Sequence, residues 1–175
     1  MKKSVFIWQL VGFTFTSVFG TLLHFLYDLT GGSLFVAPFS AVNESTWEHM
    51  KLVFFPMLIF AVIEKHFLGK ERKDFWCVKL LGILSALVMI PVFFYTYNGV
   101  FGPSPDWVNI LIFFTVAGLA FFFEWWLFKK NCVSCKSPAT AVLTLCAIAF
   151  LFAFFTFVTP EIPLFLDPVS GNYGI

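Results

Sequence analysis

The segment from Asn43 to Lys51 concentrates hydrogen-bonding and titratable side chains between two long apolar stretches. It holds the carboxylates of Glu44 and Glu48, the imidazole of His49 and the ammonium of Lys51, in a chain that is 12% charged and 59% apolar. Ionisable side chains beside apolar helices are costly and are retained mainly where they bind or react. The segment therefore predicts a functional site.

The end of the first apolar stretch offers further polar side chains to the same site. His24 and Asp28 are four residues apart and share one face of a helix, and Tyr27 lies close to that face. A short connection makes the two helices antiparallel neighbours, so we expect these side chains to meet segment 43–51. The candidate catalytic residues are His24, Asp28, Glu44, Glu48 and His49, and the candidate ligand-binding residues are Tyr27, Asn43, Trp47 and Lys51.

These residue types suit two kinds of chemistry. In the first, His24, His49 and Glu44 coordinate a divalent metal ion with one open position, while Asp28 orients His24 from behind. In the second, one carboxylate acts as a general acid and Lys51 keeps another ionised. The spacing does not choose between them, and no other cofactor is predicted.

A purely structural explanation exists for part of this segment. Ser45 and Glu48 have the spacing of a capping box, in which the Ser45 hydroxyl accepts from the Glu48 amide and the Glu48 carboxylate accepts from the Ser45 amide. Glu48 and Lys51 also have the spacing of a helical ion pair. A functional site would then depend on Glu44, His49 and His24.

A second polar cluster is expected at the opposite ends of the helices. Glu64 lies near the end of the second apolar stretch, Lys79 about one turn into the third, and Glu124 near the end of the fourth. We expect Lys79 and Glu124 to form an ion pair. A proton or ion relay between this inner cluster and the outer one is the alternative.

The four cysteines are Cys77, Cys132, Cys135 and Cys146. None falls on a segment that we expect outside the cell, so a disulfide framework is not predicted. Cys132 and Cys135 form a C-x-x-C motif, which suits a redox pair or half of a zinc site. Because no second pair exists, incidental thiols are the favoured interpretation.

The elements that must position these residues are membrane helices. Mean hydropathy is +0.89, whereas a soluble domain is about half apolar and about a quarter charged. The sequence predicts an all-α polytopic bundle, with the lipid bilayer as its partner, in a single integral membrane domain over residues 1–175. The formal charge of +1 gives no reason to expect nucleic acid. Runs long enough to cross a bilayer, about 20 residues each, fall at 5–28, 45–68, 75–97, 107–128 and 138–159.

The distribution of basic residues predicts the orientation of these five spans. Lys and Arg that flank membrane spans stay on the cytoplasmic side, and Lys51 is the one basic residue at the opposite end. We therefore expect a cytoplasmic amino terminus, a carboxyl terminus outside the cell, and segment 43–51 facing outward. The basic set comprises Lys2, Lys3, Lys65, Lys70, Arg72, Lys73, Lys79, Lys129, Lys130 and Lys136.

Two motifs occupy the first two helices. They are His24-Phe25-x-Tyr27 and Asn43-Glu44-Ser45-x-Trp47-Glu48-His49-x-Lys51, followed by Phe54-Phe55-Pro56. This pattern resembles that of a family of small bacterial membrane proteins, mostly from Gram-positive anaerobes, to which no activity is assigned. The resemblance implies a multi-pass protein of the bacterial plasma membrane and brings no catalytic residues with it.

Several classes of function stay open. The leading prediction is an outward-facing polar pocket between the first two helices that binds a small molecule, a lipid or a metal ion. One alternative is an enzyme that modifies or hydrolyses lipids with His and Glu side chains. Another is an ion or solute transporter, which five helices would form as a homo-oligomer. In a structural or accessory protein, the outer cluster would consist of caps and ion pairs only.

Overall fold

Five long helices account for most of the described chain. The computed structural model describes residues 2–68 and 72–175, so Lys70 of the basic set and the side chains of Lys2 and Lys3 lie outside the described parts. The predicted all-helical fold with five helices is confirmed. The helices are α1 (Lys2–Leu29), α2 (Thr46–Leu68), α3 (Phe75–Phe101), α4 (Asp106–Lys130) and α5 (Pro138–Phe157), followed by the 3-10 turn Pro163–Phe165.

Four of these helices are long and apolar enough to cross a membrane, namely α1, α3, α4 and α5. The sequence predicted five such helices, and α2 is not among the four. The difference arises from composition, because α2 carries Glu48, Lys51, Glu64 and Lys65 within 23 residues. Its charges lie toward its two ends, and the stretch between them is apolar.

Helix α2 occupies the centre of the bundle. It packs against α1, α3, α5 and the 3-10 turn, and its buried residues include Phe54, Met57 and Phe60. The other helices turn apolar side chains outward, as Phe25 of α1 and Ile110 of α4 do. The bundle is therefore apolar outside as well as inside, which suits a lipid environment, and its charged central helix is shielded by its neighbours.

The helices run antiparallel in sequence order. Gln9 of α1 bonds Glu64 near the end of α2, while His24 near the other end of α1 packs beside His49 at the start of α2. Helix α3 runs four residues past its predicted end at 97, and stops where Gly102 adopts a φ of 86°. One end of the bundle thus gathers the carboxyl ends of α1, α3 and α5 and the amino ends of α2 and α4.

A disulfide joins Cys77, in the first turn of α3, to Cys135 in the connection between α4 and α5. The expectation of no disulfide is therefore wrong, and so is the interpretation of Cys135 as an incidental thiol. Their separation of 58 residues gave no sign of proximity, whereas antiparallel packing brings the start of α3 to the end of α4. Cys132 and Cys146 are exposed free thiols, so the C-x-x-C motif does not pair with itself.

Candidate functional site

Three side chains from separate positions converge at the end of the bundle where α2 begins. His24 Nε2 lies 3.7 Å from Glu44 Oε1, and His49 Nε2 lies 3.4 Å from Glu44 Oε2. One nitrogen or oxygen from each residue lies within 4.8 Å of the others. The residues proposed as metal ligands from the sequence are thus brought together in one cluster, which we call the His–Glu cluster.

The orientation of His49 is fixed by its own helix. Its Nδ1 atom lies 2.9 Å from the carbonyl oxygen of Ser45, one turn earlier. A carbonyl oxygen can only accept a hydrogen bond, so Nδ1 must carry the proton. The lone pair of a neutral His49 ring is therefore on Nε2, the atom that faces Glu44, as is typical of histidines that bind metals.

Asp28 does not take the supporting position that the sequence suggested. It is exposed, and the described residues contain no hydrogen bond or ion pair that joins its carboxylate to His24. The Nδ1 atom of His24 is buried and lacks a hydrogen-bond partner within the described parts of the chain. Glu44, rather than Asp28, is the carboxylate beside His24.

The backbone that carries Glu44 is held on both sides. Asn43 Oδ1 accepts from the Ser45 amide at 2.9 Å, and Asn43 Nδ2 donates to the carbonyl oxygen of Gly174 at 2.9 Å. Both ends of the Asn43 amide are thereby used. Asn43 thus positions Glu44 and attaches the carboxyl-terminal segment, instead of reaching toward a ligand.

The carboxylate of Asp167 holds the same segment from the other direction. Burial alone would raise the pKa of this carboxyl, but hydrogen bonds from the Ser170 hydroxyl and from the amides of Val169, Ser170 and Glu44 lower the pKa below its ordinary value of 3.8. Ser170 Oγ donates to Asp167 Oδ2 at 2.6 Å. Asp167 thus links the chain's last turn to the backbone of Glu44.

Glu48 and Lys51 form a buried ion pair away from the His–Glu cluster. The Lys51 ammonium contacts the Glu48 carboxylate and donates to Ala37 O at 2.8 Å and Thr156 Oγ1 at 3.0 Å. These partners use all three of its donors. Lys51 has none left for a ligand, and both residues are explained by packing.

Of the two hydrogen bonds of the predicted capping box, one is present. The Ser45 hydroxyl accepts from the Glu48 amide at 3.4 Å. The Glu48 carboxylate, however, accepts from the Val42 amide at 3.0 Å, and Asn43 takes the Ser45 amide instead. The ion pair with Lys51 holds the Glu48 carboxylate away from the Ser45 amide.

Trp47 and Tyr27, two further candidates for ligand binding, contact other parts of the bundle. The Trp47 ring lies 4.6 Å from the ring centroids of both Phe152 in α5 and Phe165 in the 3-10 turn. The Tyr27 amide donates to Ser40 Oγ at 3.0 Å, at the end of α1. Neither residue lines the cavities beside the His–Glu cluster.

Two cavities flank the His–Glu cluster. The larger, about 350 Å³, lies between α1 and α4, and the smaller, about 260 Å³, lies between α2, α3 and α4. Four polar residues line both: Glu44, His49, Asp106 and Asn109. Sequence analysis missed Asp106 and Asn109 as site residues, although the antiparallel order puts the start of α4 at this end.

The inner cluster forms at the other end of the bundle. The Lys79 ammonium lies 2.5 Å from Glu124 Oε2 and also contacts Glu64, whose Oε1 accepts from Gln9 at 2.7 Å. Lys79, Glu64 and Glu124 are all fully buried. The pair expected between Lys79 and Glu124 is present, with Glu64 as a third member.

A thick apolar layer separates the two clusters. Fourteen residues of α2 lie between His49 and Glu64, so the two positions are about 22 Å apart along the helix. Over this length Phe54, Met57 and Phe60 of α2 pack in one core with Ile83 of α3 and Phe121 of α4.

Comparison with known proteins gives a family but no activity. No curated protein and no solved structure matches this chain. Residues 1–175 match the model of a family of unknown function (DUF6512), and the chain therefore belongs to that family.

Proposed function

We propose that this protein binds a divalent transition-metal ion at the His–Glu cluster, in a pocket at the outer end of a membrane bundle. The observation that carries the proposal is the convergence of His24 Nε2, His49 Nε2 and the Glu44 carboxylate. Two imidazoles and one carboxylate are a common ligand set for catalytic zinc, in which the fourth position stays open.

The distances fit such an ion. Ligand bonds to zinc are about 2.0 to 2.2 Å, so the ligand atoms of a tetrahedral site are about 3.4 Å apart. Each histidine nitrogen is close to this distance from one oxygen of the Glu44 carboxylate, at 3.4 Å from Oε2 for His49 and 3.7 Å from Oε1 for His24, and one ligand atom from each of the three residues lies within 4.8 Å of the others. A movement of about 1 Å that draws the three ligand atoms together would complete the set, and the proton on His49 Nδ1 is already placed for it.

The charge distribution supports an outward-facing site in the bacterial plasma membrane. Asp28, Glu44, Asp106 and Asp167 lie at the end of the bundle that holds the His–Glu cluster, while Arg72, Lys129, Lys130 and Lys136 lie at the other. Basic residues that flank spans favour the cytoplasm. This supports a cytoplasmic amino terminus and a carboxyl terminus outside.

Helix α2 is proposed as the fifth span. Its 23 residues extend about 34 Å, against a hydrocarbon thickness of about 30 Å. Glu48 pairs with Lys51 and Glu64 with Lys79, and charges that are paired inside a bundle are tolerated at membrane depth.

Among the alternatives, an enzyme keeps more support than a transporter. Asp106 lines both cavities beside the cluster, and a carboxylate near an open metal position suits metal-assisted hydrolysis. Transport would require passage through the packed aromatic layer between the two clusters. That layer disfavours a conduit within one copy of the chain.

The test is metal binding by the purified protein in detergent. We expect one zinc ion per chain by elemental analysis after dialysis against zinc and removal of the excess. Glu44→Gln keeps the size of the side chain and should abolish stoichiometric binding. His66→Ala removes the third histidine of the chain, which is exposed at the far end of α2, and should bind like the parent. Equal zinc contents in the parent and Glu44→Gln would overturn the proposal.

A further inference from the structure

The larger cavity has the shape of a slot between two helices that face lipid. Its α4 wall consists of Asp106, Asn109, Ile110, Phe113 and Phe114. These residues recur at helical spacing along one face, over about 12 Å of helix. The α4 wall is therefore polar at its outer end, at Asp106 and Asn109, and apolar along the rest of its length.

The opposite wall is built by α1, and a glycine sets its depth. A Cβ atom on Gly20 would lie 2.5 Å from the Leu52 carbonyl oxygen and 2.6 Å from Phe113 Cζ. Only glycine lets α1 approach α2 and α4 so closely at this depth. His24 and Phe25, one turn later, also line the slot.

The rim of the slot lies on the lipid-facing surface. Phe25 is 52% exposed on one side and Ile110 is 57% exposed on the other, and both line the cavity. Trp107, 65% exposed in the first turn of α4, suits the headgroup level of a bilayer. The polar end of the slot is thus at headgroup depth, and its apolar end points into the hydrocarbon.

From this geometry, and resting on the metal site proposed above, we infer that the slot binds a membrane phospholipid with an ammonium headgroup, which enters sideways between α1 and α4. The lipid phosphate meets the metal ion at His24, Glu44 and His49. The Asp106 carboxylate at the polar end pairs with the headgroup ammonium. One acyl chain lies along Ile110, Phe113 and Phe114.

Charge balance favours this class of lipid over an anionic one. A divalent ion with Glu44 leaves one positive charge, which the phosphate neutralises. The Asp106 carboxylate, exposed in the first turn of α4 at the polar end of the slot, adds a negative charge there, which an ammonium headgroup complements and a glycerol headgroup does not.

The test uses cobalt as the metal, because the visible absorption of Co²⁺ reports what occupies its open position. The Co²⁺-loaded protein is titrated with dihexanoyl phosphatidylethanolamine and, separately, with glycerophosphoethanolamine, which has the same phosphodiester and headgroup and no acyl chains. We expect the lipid to shift the spectrum at a concentration at least about tenfold lower, because its chain is buried in the slot.

Two tryptophan variants separate the slot from general partitioning into the micelle. Ile110→Trp fills the rim and should raise the half-saturating lipid concentration by about tenfold, with no change for glycerophosphoethanolamine. Leu111→Trp changes the next residue, which is 55% exposed but does not line the slot, and should behave like the parent. Both variants should keep their cobalt.

The outcomes distinguish the two proposals. If cobalt binds but both titrants act at equal concentration, or if the two tryptophan variants behave alike, the lipid inference is wrong and the metal site stands. If the protein binds no cobalt, the metal site fails and the lipid inference falls with it.

Discussion

The Nδ1 atom of His49 lies 2.9 Å from the carbonyl oxygen of Ser45, one turn earlier in α2. This bond assigns the ring proton to Nδ1, so Nε2 is the coordinating atom. It also ties the first turn of α2 to the site, because Ser45 caps the same helix through the Glu48 amide. Helix capping and ligand orientation therefore share one residue.

This relationship allows the structural and binding roles of His49 to be separated. In His49→Asn the amide nitrogen takes the place of Nδ1 and can still donate to Ser45, but nothing replaces Nε2. We expect the thermal stability to change little, while zinc affinity falls by more than about 100-fold, since even supporting residues of metal sites are worth 10- to 100-fold. Isothermal titration with zinc measures the affinity, and a thermal melt in detergent measures the stability. Retained affinity would show that His49 is not a ligand.

The buried pair of Lys51 and Glu48 should matter for stability and not for binding. Lys51→Met leaves the Glu48 carboxylate buried without its counterion, and such a change typically costs about 3 to 5 kcal/mol. We expect the double variant Lys51→Met/Glu48→Leu to recover part of this loss, because it removes both charges. Unfolding in detergent measures the stability, and Lys136→Met, at an exposed position, is the control. Zinc stoichiometry should survive in the double variant at low temperature.

Helix α3 approaches the inner cluster closely at Gly82. A Cβ atom there would lie 2.3 Å from both Cγ and Oε1 of Glu124, so Gly82→Ala must displace Glu124 from Lys79. We expect a loss of about 1 to 3 kcal/mol from overpacking, measured by unfolding in detergent. Gly99→Ala in the same helix meets no atom within 4 Å and should be neutral or slightly stabilising, because alanine favours helix. Equal effects of the two substitutions would mean that Glu124 does not pack against Gly82.

The parts of the site that the sequence predicted are those set by local spacing. His24, Glu44 and His49 could be placed together because helical spacing and a short connection constrain them. Asp106 and Asn109 could not, since their approach depends on how α4 packs against α1 and α2. Lys51 was chosen as a ligand residue for its charge alone, but the carbonyl of Ala37 and the hydroxyl of Thr156 that saturate it come from distant segments.

The same distinction applies to the fold. Five helices follow from the length of the apolar runs, and their ends agree with the structure to within a few residues. The disulfide between Cys77 and Cys135 could not be inferred, because it depends on the first turn of α3 meeting the connection between α4 and α5 at one end of the bundle. The burial of the charged helix α2 in the centre of the bundle could not be predicted either, because the sequence gives the charges of α2 but not the residues that pair with them.

The carboxyl-terminal segment should loosen in acid through Asp167. Its pKa is lowered in the folded protein, so ionisation of Asp167 contributes stability above the unfolded value of 3.8, and this contribution is lost as the pH falls through the lower folded value. Asp167→Asn should have the same effect at neutral pH. Hydrogen exchange of the Val169 and Gly171 amides, whose partners are Asp167 atoms, measures the loosening. Glu161→Gln, an exposed change in the same segment, should leave this exchange unchanged.

The orientation of the bundle can be tested from both ends. A cysteine introduced at Ser33, in the connection that precedes the site, should react with an impermeant thiol reagent added to intact cells. Cys132, which is exposed at the basic end, should react only after the cells are opened. The reverse pattern would put the His–Glu cluster in the cytoplasm and contradict the proposed topology.

The disulfide sharpens this test, because it lies at the basic end together with Cys132. If that end faces the cytosol, glutathione and thioredoxin should keep Cys77 and Cys135 reduced in growing cells. The test uses the variant Cys132→Ser/Cys146→Ser, in which Cys77 and Cys135 are the remaining cysteines. Rapid alkylation of growing cells with a permeant maleimide should then modify both of them. The same protein purified in air should not be alkylated until its disulfide is reduced. Cysteines that resist alkylation in cells grown without oxidant would indicate an oxidising compartment. The amino terminus would then lie outside the cell. The metal site would face the cytoplasm, take its ion from there and take its lipid from the cytoplasmic leaflet.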